Sequence, residues 1–135
     1  MPQQFSLLFS ASREQLFDAW TRKDLVEQWL FKHDTNSLRA DLDLRLGGKF
    51  SIQENDDGKV VDYFGEYLEV RRPEHLAFTL EAPTRFQGQS RIELSLQTVT
   101  SDTEMHLMQT GAETDLSEAY WRTMFQNLTR LLLRE

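Results

Sequence analysis

Apolar residues are spaced in two ways along the chain. In some segments every second residue is apolar, and in others every third or fourth residue is. From Ser37 to Leu46 every second residue is apolar, which is typical of a strand that buries one face. The same alternation continues at residues 50–52, 76–80, 92–96 and 105–107. Residues 60–70 are interpreted as a long strand, and the apolar segment Phe5–Phe9 as a first strand. These segments predict about six to seven strands.

Two short helices are predicted between the first strand and the rest of the sheet. Ser12 and Gln15 have the spacing of a capping box, which predicts a helix that begins near Arg13. Asp24 and Glu27 repeat that spacing and predict a second short helix.

A long amphipathic helix is predicted at the C-terminus. Asp115 and Glu118 form a third capping-box pattern, and apolar residues follow at helical spacing from Leu116 to Leu132. No repeat or linker interrupts the chain, so we expect a single domain over residues 1–135. The order of elements predicts an α+β fold in which a curved antiparallel sheet wraps around the C-terminal helix.

Turn residues separate the predicted strands. The segment Glu54–Gly58 offers several oxygen atoms, but it lacks the spacing of a calcium-binding loop, and we interpret it as a hairpin turn. Gly65 falls inside a long predicted strand, where a glycine often accompanies a bulge or a bend.

The amino-acid composition excludes several kinds of partner and site. The chain has 15 Lys and Arg against 22 Asp and Glu, a net charge of −7, so nucleic acid is not an expected partner. The absence of cysteine from the sequence excludes disulfides and zinc–thiolate sites. The N-terminus shows no secretory pattern and no apolar run reaches membrane-spanning length, so we expect a cytoplasmic protein without membrane insertion.

The sequence shows no motif for catalysis or for metal binding. None of the three histidines lies in a recognised metal-ligand spacing. His75 is expected in a turn and His106 on the polar side of a strand, and we interpret both, with His33, as surface or structural residues. No serine lies in a nucleophile elbow. We therefore predict no catalytic residue, no metal site and no cofactor.

Several segments in order resemble one known family. The segments are Ala11–Trp29, with Phe17-Asp18-Ala19-Trp20-Thr21 at its centre, Asp43–Phe50, with Arg45 and Gly47-Gly48, and Gly65–Thr79, with Pro73-Glu74-His75-Leu76. They are similar to motifs of the AHSA-like proteins, homologues of the activator of the ninety-kilodalton heat-shock protein's ATPase, within the SRPBCC or START-like superfamily. This resemblance implies the helix-grip fold.

The chain departs from the family pattern at two places. Gln109 stands where the family has a histidine, and Tyr120 stands where a glycine precedes the tryptophan. The first change removes a titrating imidazole, and the second places a phenol where it can project from the long helix into the interior.

The resemblance implies that a small hydrophobic molecule binds between the C-terminal helix and the concave face of the sheet, in a stress-related or a lipid- or polyketide-type context. Gln109 and Tyr120 are its expected polar anchors. A cyclase- or aromatase-like enzyme that uses Tyr120, and a co-chaperone-like domain that contacts a chaperone, are the alternatives, and the chain can be a monomer or a homodimer. The predicted lining residues are Trp20, Trp29, Phe50, Ile52, Phe78, Leu80, Ile92, Leu94, Met105, Leu107, Gln109, Tyr120 and Met124.

Overall fold

A computed structural model describes residues 3–31, 36–84, 87–111 and 118–133. In chain order the elements are β1 (Gln3–Phe9), α1 (Arg13–Thr21), α2 (Lys23–Val26), β2 (Ser37–Leu42), β3 (Lys49–Asp56), β4 (Lys59–Arg71), β5 (His75–Leu80), β6 (Ser90–Val99), β7 (Asp102–Gly111) and α3 (Glu118–Leu133). This order confirms the predicted succession of strands and helices.

The strands form one curved antiparallel sheet in the order β1-β7-β6-β5-β4-β3-β2. The register aligns apolar residues of neighbouring strands, for example Leu76 with Leu94 and Leu94 with Leu107. All three side chains are fully buried. Alternation therefore gives the sheet one apolar face, on which the helices pack, and the arrangement is the predicted helix-grip fold.

The first helix begins as predicted, whereas the second begins differently. The Ser12 hydroxyl accepts from the Gln15 backbone N–H and the Gln15 side chain accepts from the Ser12 N–H, so the capping box is present. The predicted capping box at Asp24 is wrong, because α2 begins at Lys23 and its N-cap, Arg22, makes no side-chain capping bond. The carboxylate of Asp24 instead accepts from Arg22 Nη2 at 3.1 Å.

The second strand is shorter than the alternation predicted. β2 ends at Leu42, and Leu44 and Leu46 are 38% and 75% exposed. Beyond Leu42 the backbone forms local turn bonds, from Arg45 N to Asp43 O and from Gly48 N to Arg45 O. These turn bonds replace most of the interstrand hydrogen bonds that a longer β2 would form with β3.

The long helix lies on the concave face, with its apolar residues buried. Phe5 of β1 lies 5.5 Å from Phe125 between ring centroids, and the Sδ atom of Met124 accepts from the Phe31 N–H at 3.0 Å. The predicted helix start at Asp115 and Leu116 lies outside the described residues. The residues that α3 buries are Trp121, Met124, Phe125, Leu128 and Leu131.

Strands β3 and β4 form the predicted hairpin, but its turn is shorter than the predicted segment Glu54–Gly58. Asp57 and Gly58, both with positive φ, connect the two strands, and this conformation is the one that a two-residue hairpin turn favours. The sequence pattern placed Glu54 in the turn, but Glu54 lies within β3. Gly65 allows close approach of β5, since a Cβ atom there would overlap the Thr79 carbonyl oxygen.

Candidate functional site

The interior between the sheet and the helices contains the residues predicted to line a ligand cavity. All of the predicted lining residues are buried except Tyr120, which is half-buried. Most of them pack as ordinary core. Trp29, Leu80, Ile92, Leu94, Met105, Leu107 and Met124 are at most 1% exposed.

A small apolar cavity lies where α1 and α2 meet the sheet. Its volume is about 10 Å³, which is the space of roughly one water molecule. Seven of its eight wall residues are buried, and Leu42 of the edge strand β2 is half-buried. The wall consists of Trp20, Val26, Leu30, Leu42, Phe50, Ile52, Tyr67 and Phe78.

The cavity includes only part of the predicted set. Trp20, Phe50, Ile52 and Phe78 line it, whereas the other predicted residues lie elsewhere in the core or, for Tyr120, at its border. Four further wall residues were not in the predicted set. Two signals in the sequence could have found some of them, because Leu42 continues the alternation of β2 and Val26 lies on the apolar side of α2.

Aromatic rings give the cavity wall its shape. Phe50 and Phe78 meet edge to face at 5.4 Å between centroids, and Tyr67 lies 5.4 Å from Phe50. Burial, and after it the negative charge of Asp43, raises the pKa of Tyr67 well above its ordinary value. The Tyr67 phenol is therefore a neutral group at physiological pH.

The indole N–H of Trp20 is buried without a hydrogen-bond partner. It is the one such buried side-chain nitrogen or oxygen atom within the described ranges. The other two tryptophans are satisfied, since Trp29 Nε1 donates to Ala19 O at 2.7 Å and Trp121 Nε1 donates to Gln109 Oε1 at 2.9 Å. A buried donor without an acceptor costs about 1–3 kcal/mol, and the residue that carries this donor is one of the cavity-wall residues.

Gln109, one of the two predicted anchors, is hydrogen-bonded within the core. Its Oε1 accepts from Trp121 Nε1, and its Nε2 donates to Ser90 Oγ at 3.3 Å. The amide therefore links β6, β7 and α3, and Gln109 is not among the cavity-wall residues.

A second buried polar cluster, the Glu54 cluster, consists of Asn36, Glu54, Tyr63 and Tyr120. Asn36 Nδ2 donates to Glu54 Oε2 at 2.9 Å, and the Tyr63 hydroxyl donates to Glu54 Oε1 at 3.2 Å. The Tyr63 hydroxyl also lies 3.4 Å from the Tyr120 hydroxyl. Glu54 is fully buried, although carboxylates are rarely found inside proteins unless they are hydrogen-bonded or paired.

Sequence reasoning missed Glu54 and Tyr63, although a signal was present. In β3 the inward residues are Phe50, Ile52 and, two positions later, Glu54. A polar residue in the inward phase of a strand predicts a buried polar group. The grouping of Glu54 with the turn that follows it concealed this phase.

The described part of the chain shows no helix whose length and apolar character would let it cross a membrane.

Comparisons with known proteins give a family and a fold. Residues 10–133 match the model of the family described as Activator of Hsp90 ATPase homolog 1-like protein. No curated protein matches the chain.

Solved structures share the fold at low sequence identity. A Rhodobacter sphaeroides protein has a TM-score of 0.85 and 19% identity, covering 98% of this chain and 93% of its own. A Chromobacterium violaceum protein has a TM-score of 0.83 and 18% identity, with coverage of 97% and 96%. A Mesorhizobium loti protein has a TM-score of 0.75 and 26% identity, with coverage of 99% and 98%.

Proposed function

Because the chain belongs to the Activator of Hsp90 ATPase homolog 1-like family, we propose that it binds a small, largely apolar molecule in the interior of the helix-grip fold, beside the cavity at α1 and α2. Family and fold support a ligand-binding or a co-chaperone-like domain, and the interior of this chain favours the first. The ligand carries one hydrogen-bond acceptor.

The unpaired indole N–H of Trp20 carries this proposal. Trp20 is 2% exposed and forms part of the cavity wall, so water reaches its nitrogen poorly. A ligand oxygen or nitrogen that accepts from Trp20 Nε1 removes the cost of the buried donor and gains a hydrogen bond. The other wall side chains are apolar or aromatic, which suits an apolar ligand body.

A ligand larger than water must displace part of the wall. Leu42 is the half-buried member, and β2, which carries it, lies at the edge of the sheet and pairs only with β3. An edge strand gives way more easily than a central one because fewer contacts hold it. Entry between β2 and α2 has to break two hydrogen bonds, from Lys23 Nζ to Ala40 O and from Ala40 N to Glu27 Oε2.

The binding energy is modest. Burial of about 300 Å² of apolar ligand surface contributes roughly 7 kcal/mol, from which the costs of association and of wall movement are subtracted. We expect dissociation constants in the micromolar range or weaker.

A matched pair of bicyclic probes tests the proposal. Indane and 1-indanone share a skeleton, but only 1-indanone has a carbonyl acceptor. In ¹H–¹⁵N spectra the Trp20 indole signal should move with 1-indanone more than with indane, while the Trp29 and Trp121 signals, already hydrogen-bonded, serve as internal references.

Cavity-filling variants locate the binding. V26I adds one methylene at the wall, whereas V61I adds the same group at a core position outside it. V26I should weaken 1-indanone binding and V61I should leave it unchanged. The proposal is wrong if neither probe perturbs the Trp20 signal, or if V26I and V61I behave alike.

The Glu54 cluster supports a second candidate function, an enzyme of the cyclase or aromatase type. A buried carboxyl group hydrogen-bonded to a phenol can move protons to and from a bound molecule. Under this reading E54Q and Y63F abolish turnover but leave ligand affinity unchanged. Unchanged turnover in E54Q would exclude this role for Glu54.

A further inference from the structure

Three potential metal ligands meet on the outer face of the sheet. Glu69 of β4, His75 of β5 and Glu93 of β6 each offer one atom, and these atoms lie within 4.8 Å of one another. His75 Nε2 is 3.1 Å from Glu69 Oε2 and 3.1 Å from Glu93 Oε2. We refer to these residues as the outer triad.

The strand register brings the outer triad together. Ala77 pairs with Glu69 on one side and with Glu93 on the other, and His75 precedes Ala77 by two positions on the same face. Ala77 is fully buried although it points away from the core. Its small side chain is therefore covered by the neighbouring side chains of the outer face.

The two distances from His75 to the carboxylates fit a bound ion. Zinc binds imidazole nitrogen and carboxylate oxygen at about 2.0–2.2 Å. Two ligand atoms bound to the same ion, at a ligand–ion–ligand angle between the octahedral and the tetrahedral value, are about 2.9–3.5 Å apart. Both nitrogen–oxygen distances at His75 fall in this range, and the two carboxylate oxygens lie within 4.8 Å of each other.

Neighbouring groups orient the ligands and leave them accessible. Ser95 Oγ lies 3.4 Å from His75 Nδ1, while Nε2 faces both carboxylates, and a bound ion would replace the hydrogen bond between Nε2 and Glu93. Arg71 Nε contacts Glu69 Oε1, the carboxylate oxygen that does not face His75. Arg91 Nη2 is 3.5 Å from Glu93 Oε2, and an ion pair of this kind at the surface contributes little.

We propose that Glu69, His75 and Glu93 bind a divalent first-row transition-metal ion, with zinc as the reference ion. The imidazole ligand favours such ions over magnesium and calcium, which prefer oxygen ligands alone. Three protein ligands leave coordination positions open to water or to a small anion. The ion links three central strands, so it stabilises the folded chain.

Zinc titration of the full chain tests this site. Calorimetry with zinc chloride should show one ion bound per chain, and magnesium chloride under the same conditions should show no comparable binding. H75Q should weaken zinc binding by at least about tenfold. The matched controls are H106Q and H33Q. His106 lies on β7, on the same outer face of the sheet as the outer triad. Both variants should bind zinc as tightly as the unchanged chain does.

A second pair of variants keeps the test valid if H75Q folds poorly. E93Q removes one ligand charge and E104Q removes a charge from an exposed residue of β7. E93Q should weaken zinc binding and E104Q should not. The proposal is overturned if the unchanged chain binds no zinc, or if the triad variants bind it as tightly as their controls do.

Discussion

The hydrogen bond between Tyr63 and Glu54 makes a measurable contribution to stability. Both residues are fully buried, and the oxygen atoms are 3.2 Å apart. A net contribution of about 0.5–1.5 kcal/mol is usual for such a bond, and the loss of one partner adds about 1–3 kcal/mol for the group left without it. We expect Y63F to lower the free energy of unfolding by about 1–2 kcal/mol and E54L, which removes both acceptor oxygens, by about 2–4 kcal/mol.

A double-mutant cycle separates the bond from the other effects of each substitution. Urea unfolding of the unchanged chain, E54L, Y63F and the double variant should give a coupling energy of about 1 kcal/mol. E104L combined with Y63F is the matched control, because Glu104 is exposed on β7, and its coupling should stay within about 0.5 kcal/mol of zero. Equal coupling in the two cycles would refute the hydrogen bond.

Two further predictions follow from single positions. G65A should destabilise the fold by about 1–3 kcal/mol or more, because its Cβ would overlap the Thr79 carbonyl oxygen and lie 2.9 Å from Phe50 Cε2; a urea midpoint equal to that of the unchanged chain would contradict this. Burial and Asp43 raise the pKa of Tyr67 above its ordinary value of 10.0, so the stability that depends on neutral Tyr67 is complete below pH 10 and is lost as the pH rises further. Between pH 10 and 11 the free energy of unfolding of the unchanged chain should fall by up to about 1.4 kcal/mol more than that of Y67F. Urea unfolding at the two pH values measures both changes, and an equal fall in the two proteins would refute the prediction.

Local patterns predicted the elements well, because strand alternation and helix capping depend on neighbouring residues. Ser12 and Gln15 form the expected cap, and Asp57 and Gly58 form the expected turn. The prediction was wrong where a second local interaction competed with the pattern. Past Leu42 the alternation continues, but turn hydrogen bonds take the backbone out of the ladder.

The candidate sites were harder to predict because they are assembled from distant parts of the chain. The outer triad brings together residues from three strands, so no spacing in the sequence reveals it. The cavity wall combines α1, α2 and four strands. Glu54 is the exception, since its inward phase in β3 was present in the alternation.

Native mass spectrometry of the protein purified from its own organism, beside V26I prepared in the same way, tests the central claim most directly. The unchanged chain should retain one apolar compound per chain, with an oxygen or nitrogen acceptor, and V26I should retain less of it. An unchanged chain that carries no small molecule, or a V26I variant that carries as much, would contradict a ligand site beside Trp20.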